Sequence, residues 1–309
     1  MKIGITMSVI MKQFSLKEGI ETLAELGFDS IDFPLNVYTS VRDHGNSIYN
    51  VMYTDKWRNF AKDVRSMLDE NGVEAYQTHA LWGLYTDMSE YIPPEEQYFR
   101  QIMAASLIGS RELVFHPIPP TIKINSIAER DRVVDYNIRW FRELVPCAEE
   151  YGINLCLENT FTHEKNLPGD GLFPFVDGET MNMLAEGIGS KNVSFCLDTG
   201  HANVEHGPNM VKLAHDIAPR LKALHVHDNF GVLEPLLNSD LHMFPGYGSS
   251  DLEALCVELG KNAFDGVMSL EPSHRNMPRE RLLLILRAAV DIARYYANIV
   301  EKNRLTHKD

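Results

Sequence analysis

Eleven acidic and imidazole side chains stand at or just beyond the ends of short apolar runs in this 309-residue chain. "EAYQTHA" brings His79, "ELVFHP" His116, "NLCLENT" Glu158 and "VSFCLDT" Asp198, with His201 close behind. "LKALHVHD" supplies His225, His227 and Asp228, "SDLHMFPGYG" supplies Asp240 and His242, and "GVMSLEP" closes on Glu271. In an extended strand residues i and i+2 share a face, so His225 and His227 point the same way. Any one of these residues alone is ordinary hydrogen-bonding structure. Gathered in one place, they would repel and desolvate one another unless protons or a cation balanced them. A divalent metal supplies that balance, because imidazole and carboxylate are its usual ligands.

What must gather them is the alternation that carries them. Two further runs, "KIGITM" and "SIDFPL", precede these six, so the chain reads as eight strands separated by helical patterns. "SLKEGIETLAELG" places Ser15 and Glu18 in capping-box spacing and stops at Gly27. "SDLEALCVELG" repeats that logic with Ser250, Glu253 and Gly260. Other helices close at "ENG", "LIG", "EYG" and "GIG", and the last opens after Met277 with a proline in its first turn. Strands alternating with helices imply parallel strands and right-handed crossovers. Eight such units predict an α/β fold, a single (β/α)8 TIM barrel occupying residues 1–309 as one domain. Helix-to-strand connections such as "GFD" and "YGI" are short, whereas strand-to-helix connections such as "NVYTSVRDHGNSIYNVMYTD" are long. The long loops therefore collect at the C-terminal face, where barrels of this kind build their sites.

The formal net charge of −14 disfavours phosphate backbones and anionic lipid, so neither nucleic acid nor membrane is expected as a partner. Cys147, Cys156, Cys196 and Cys256 form no C-x-x-C pair, and Cys156 and Cys196 sit inside apolar runs as small hydrophobes. A reduced, cytoplasmic protein is expected. "KIGITM" reads as a first strand in preference to a secretion signal. No uncharged apolar run approaches the ~20 residues of a membrane helix.

"CLENTF", "FCLDTGHAN", "LHVHDN", "SDLHMFPGYG" and "SLEP", in this order, resemble the xylose isomerase-like barrel superfamily. The resemblance is to its sugar (phosphate) isomerase/epimerase branch, which also contains endonuclease IV. It implies one divalent ion, Mn, Co, Mg or Zn, held by Glu158, Asp198, His225 and Glu271. His225 is preferred to His227 because the family's ligand usually stands three residues before an aspartate, here Asp228. Glu158 and Glu271 are then also the acid/base pair, moving a proton through a metal-stabilised enediolate. His79, His116, His201, His227, Asp240 and His242 are left to line the pocket of a sugar or polyol substrate. Trp82, Tyr85, Phe161 and Phe173 offer apolar faces for a sugar's C–H surfaces, or pack the loops.

The same histidines and carboxylates also offer counterparts to the three-zinc cluster of an endonuclease IV-type phosphodiesterase. Against that stand the acidic charge and the lack of Lys/Arg-rich loops to follow DNA. A dehydratase acting on an inosose-type polyol needs the same metal and base. A sugar-binding protein without turnover has no use for two opposed proton carriers. Self-association into a homo-oligomer is left open.

Overall fold

All eight apolar runs form strands in the computed structural model: β1 (Ile3–Thr6), β2 (Ser30–Asp32), β3 (Gln77–His79), β4 (Glu112–Phe115), β5 (Asn154–Glu158), β6 (Val193–Asp198), β7 (Leu221–His225) and β8 (Met268–Leu270). The structure describes residues 1–39, 51–81, 95–120, 124–161, 172–206, 210–231, 239–273 and 277–305. Helix α1 (Leu16–Leu26) follows β1, and α2 (Leu35–Tyr38) and α3 (Trp57–Glu70) follow β2. Helices α4 (Glu95–Ile108), α5 (Ile127–Tyr151) and α6 (Gly178–Ile188) follow β3, β4 and β5. A pair, α7 (Thr199–His206) and α8 (Met210–Ile217), follows β6, and α9 (Leu252–Lys261) and α10 (Arg279–Leu305) follow β7 and β8.

The strands pair in parallel as two arcs, β2-β1-β8 and β3-β4-β5-β6-β7. Single bridges join the arcs: Ser30 to Glu74 and Phe33 to Thr78 on one side, Val226 to Leu270 on the other. Backbone bonds at those seams, including His79 N to Phe33 O at 3.0 Å and Val226 N to Ser269 O at 2.8 Å, complete the ring. The neighbour order is thus 1 to 8 around a closed α/β barrel.

Side-chain alternation divides each strand between two environments. Leu113, Phe115, Leu155, Leu157, Phe195 and Leu197 belong to the large core shared with the helices. Val114, Cys156, Cys196 and Ala223 form a separate buried cluster within the ring. Two residues toward the N-terminal ends, Glu112 accepts from Asn154 Nδ2 at 2.8 Å and from Ser194 Oγ. Two residues toward the C-terminal ends come His116, Glu158, Asp198 and His225. The period of two therefore stacks a polar floor, an apolar middle and a titratable top layer.

The helix punctuation follows the sequence at α1, where Ser15 Oγ accepts from Glu18 N and Gly27 adopts φ 103°. Gly109, Gly152 and Gly189 take the same left-handed conformation after α4, α5 and α6. Helix α9 departs from expectation. Its N-cap is Asp251, whose side chain accepts from Ala254 N, and it continues through Gly260 to end at Lys261. Ser250 instead gives its backbone N–H to Asp228 Oδ1. Gly260 is a packing position: a Cβ there would stand 2.5 Å from the carbonyl oxygen of Val300 on α10.

The lopsided loops put the site at one end. Only Gly152 and Ile153 separate α5 from β5, whereas residues 226–251 separate β7 from α9. Among the described residues no helix is long and apolar enough to cross a membrane.

Candidate active site

Glu158 is the centre of the top layer. From the end of β5 its Oε1 lies 3.2 Å from His225 Nδ1 and 3.6 Å from His201 Nδ1. Its Oε2 faces the other way, 3.1 Å from His116 Nε2 and 3.6 Å from His79 Nε2. His79 is oriented by its Nδ1, which donates to Ala80 O at 2.8 Å, and its ring stacks parallel to that of His225. Burial disfavours the Glu158 carboxylate, yet His116 and His225 hold its pKa well below the usual range.

Asp198 ends β6 and is fixed from three sides. Its backbone N–H donates to Asn159 Oδ1 at 2.8 Å, Oδ1 accepts from His201 N at 2.7 Å, and Oδ2 accepts from His227 Nε2 at 2.9 Å. The bond from His201 exists because α7 begins at once after β6, so the carboxylate caps the helix's first turn. His201 Nδ1 donates to Asn159 O, and its Nε2 lies 3.6 Å from Asp240 Oδ2.

His225 and His227 do point the same way, and both are fully buried, but they serve different partners. His225 sets Nε2 on Asp32 Oδ2 at 2.8 Å and turns Nδ1 toward Glu158 and Glu271, the latter at 3.6 Å. His227 stays on Asp198 and stacks on His242 at 3.9 Å between ring centroids. Position 200 must be glycine for this, since a Cβ would lie 1.9 Å from His227 Cε1.

The outer wall is the loop after β7. Asp240 Oδ2 accepts from His242 Nε2 at 2.9 Å, and His242 Nδ1 donates to Glu271 O at 3.0 Å. His242 holds a left-handed φ of 46°, a conformation that costs a non-glycine residue energy and concentrates at functional sites. The loop hangs on Asp228. That buried carboxylate accepts Asn229 N and Ser250 N on Oδ1, and Gly246 N and Gly248 N on Oδ2. Main-chain bonds between Asp228 and Met243 add to the clamp.

Electrostatically the cluster is balanced from within. Among the described residues, the ion pairs that reach Glu158, Asp198, Asp240 and Glu271 all come from histidines. Burial opposes protonation of His201, but Asp198 and Asp240 raise its pKa well above the ordinary value. Burial likewise opposes protonation of His225, and Cys196, Glu271 and Glu158 raise it. His242 is pushed up to about 10 against its own burial, chiefly by Asp240.

The donors also suit a cation. One ligand atom each from Glu158, Asp198, His225 and Glu271 lie within 4.8 Å of one another. His225 Nδ1 and Glu158 Oε2 are buried without a hydrogen-bond partner, although both face the cluster. Three carboxylates and one imidazole are a donor set for Mn, Co, Mg or Zn. Smaller groups flank it: His79, Glu158 and His225; Asp198, His201 and His227; and His227, Asp240 and His242.

Residues 20–290 match the family described as xylose isomerase-like TIM barrel. The chain belongs to this family. Solved structures of the same architecture include a D-tagatose 3-epimerase-like protein, 23% identical at TM-score 0.69, covering 98% of this chain and 99% of that one. A D-psicose 3-epimerase solved with D-fructose is 15% identical at TM-score 0.73, covering 96% and 99%. The IOLI protein with a bound zinc atom is 17% identical at TM-score 0.69, covering 98% and 99%. The uncharacterized protein MJ1311 of Methanocaldococcus jannaschii is 30% identical over 172 residues, 55% of this chain. That match spans 53% of MJ1311, about half of its length.

This xylose isomerase-like barrel brings nine of the eleven strand-end residues into contact around Glu158, Asp198 and Asp240, adds Glu271 through His225 and His242, and turns Asp228 to the loop after β7. Phe161 packs on His201 at 4.8 Å between ring centroids, while Trp82 and Tyr85 lie outside the described residues. Sequence reasoning missed Asp32, Asn159 and the clamp at Asp228. The signal for Asp32 was available: "SID" ends β2 as "CLD" ends the sheet's sixth strand.

Proposed function

We propose that this chain is a metal-dependent sugar or sugar-phosphate isomerase or epimerase. The observation that supports it is the convergence of Glu158, Asp198, His225 and Glu271 donor atoms within 4.8 Å, two of them glutamates at the ends of different strands. A divalent cation there supplies positive charge against which an oxyanion, formed when a proton leaves the adjacent carbon, is stabilised. Glu158 and Glu271 come from opposite arcs of the barrel, β5 and the end of β8. One carboxylate removes the carbon-bound proton and the other returns it, which inverts a centre or moves a carbonyl. The low pKa of Glu158 keeps it ionised, as an acceptor or ligand must be. In this reading His201 and Asp240 meet substrate hydroxyls, and Phe161 covers an apolar sugar face. A free sugar is favoured over a phosphorylated one, because no lysine or arginine pairs with the rim carboxylates among the described residues.

One observation favours a second reading, a multi-metal phosphodiesterase. His79 and His116 sit on Glu158 Oε2, and His201, Asp240 and His242 form a second donor-rich corner. The discriminating experiment incubates the metal-loaded protein in deuterated water with a panel of ketoses and polyol ketones. Carbon-bound deuterium in at least one, with about one metal per chain and loss of exchange in Glu271→Gln, is expected. No incorporation, with three metals per chain and nicking of abasic DNA, would overturn the isomerase reading. Deuterium exchange accompanied by net loss of water from a polyol ketone would instead identify a dehydratase.

A further inference from the structure

We infer that Asp32 is the positioning residue that presents His225 to the cation site. This rests on the metal reading above, but it concerns a residue which that reading does not use. An imidazole binds a metal through one nitrogen, and the hydrogen bond made by the other decides which nitrogen is free. His225 resolves that choice geometrically. Nε2 stands 2.8 Å from Asp32 Oδ2, whereas Nδ1 has no hydrogen-bond partner and faces Glu158 Oε1 at 3.2 Å and Glu271 Oε2 at 3.6 Å. When the ring gives up a proton to a cation, Nε2 therefore keeps its own on Asp32, and the Nδ1 lone pair enters the four-donor group.

Asp32 is itself held in place. Gln77, two residues before His79 on β3, donates Nε2 to the same Asp32 Oδ2 at 2.9 Å and to Leu224 O at 3.2 Å. One amide thus ties β2 to the backbone of β7 immediately before His225. Asp32 is buried and its Oδ1 has no hydrogen-bond partner. Among the described residues its ion pair is with His225. A buried carboxylate with so few partners is costly unless its charge acts on the ring it touches. It stands on the far side of that ring from the donor group, so it acts through His225 and not as a ligand.

The test reads the His225 tautomer by two-bond 1H–15N correlations in metal-free protein, and Zn2+ affinity by competition with a chromophoric chelator. At a pH high enough for His225 to have lost one of its two ring protons, wild type is expected to show the Nε2–H form. Asp32→Ala should lose that form and bind Zn2+ roughly 10- to 100-fold more weakly. Asp32→Asn, which retains an acceptor, should keep the tautomer and lose less affinity. Gln77→Leu should weaken binding by a smaller factor with Asp32 intact. An unchanged tautomer and unchanged Zn2+ affinity in Asp32→Ala would overturn the inference. Should that variant not fold, wild-type affinity in both Asp32→Asn and Gln77→Leu would overturn it. If Zn2+ leaves the wild-type His225 signals unmoved, the metal reading fails. Loss of the tautomer in metal-free Asp32→Ala would still uphold the positioning role.

Discussion

His227 reaches Asp198 only across a residue without a side chain: Nε2 is 2.9 Å from Asp198 Oδ2, and the ring lies against the backbone of Gly200. A Cβ at position 200 would meet ring atoms at 1.9 and 2.4 Å. Gly200→Ala should therefore push the ring off Asp198 and off its stack with His242. Overpacking of this kind costs about 1–3 kcal/mol. Urea denaturation with an unchanged midpoint would contradict the packing argument.

Saturation with Mn2+ or Zn2+ should stabilise the protein. At a free ion concentration one hundred times Kd the gain is about 2.7 kcal/mol, or roughly 5 °C in Tm for a domain of this size. The gain should depend on pH with a defined sign. His201 and His225 have raised pKa values in the folded protein, and His242 is pushed up to about 10. Their contribution to the metal-free fold is fully present below the ordinary imidazole value of about 6.5 and is lost as pH rises through the raised values. An ion in the four-donor group must displace a proton from His225, and its charge disfavours those on His201 and His242, so the metal-induced shift in Tm should be larger at pH 8.5 than at pH 6. An equal shift at both would refute proton displacement.

Asp228→Asn should loosen one wall while leaving the ring intact. The carboxylate accepts four backbone N–H groups, whereas an amide oxygen replaces only part of that capacity and its NH2 opposes the remaining donors. A loss of about 1.5–3 kcal/mol is expected, the range for hydrogen bonds to a charged group. Hydrogen exchange should accelerate across residues 243–250 and stay slow in β5 and β6. Uniform acceleration would mean that Asp228 supports the whole fold and not this loop.

Glu112, in the floor of the ring, gives a prediction of opposite sign. Burial raises its pKa, against the bonds from Ser194 and Asn154. A carboxyl with a raised folded pKa contributes most below its unfolded value of about 4.3, and that contribution fades as pH rises through the folded value. Glu112→Gln, which can still bond Asn154 and Ser194, should be more stable than wild type at pH 7 by about 1 kcal/mol. The advantage should shrink toward pH 4. An advantage that grew on acidification would show that the ionised form is the one the fold favours.

The fold was legible because its signals are local. Each strand was marked by a short apolar run, and Ser15 and Gly27 mark α1 through bonds confined to one helical turn. The titratable layer was legible for a related reason: strand ends and a period of two place residues on a rim before any distance is known. What escaped were choices made across the ring. Ser250 lost the cap of α9 to Asp251 because Asp228 takes its N–H, and Gly260 serves a neighbouring helix instead of ending its own. Asp32 gained its meaning from His225, which is 193 residues away in sequence. No spacing rule connects partners so distant, and only closure of the barrel does so.

Glu158 turns one oxygen toward His225 and the other toward His79 and His116, so its two sides are not independent. Whatever settles on the histidine side, whether a proton or a second ion, draws on the same carboxylate charge that the other side uses. Thermodynamics makes such an influence reciprocal, by the same factor in both directions. The carboxylate at the end of β5 is accordingly a lever through which occupancy of one half of the site sets the affinity of the other.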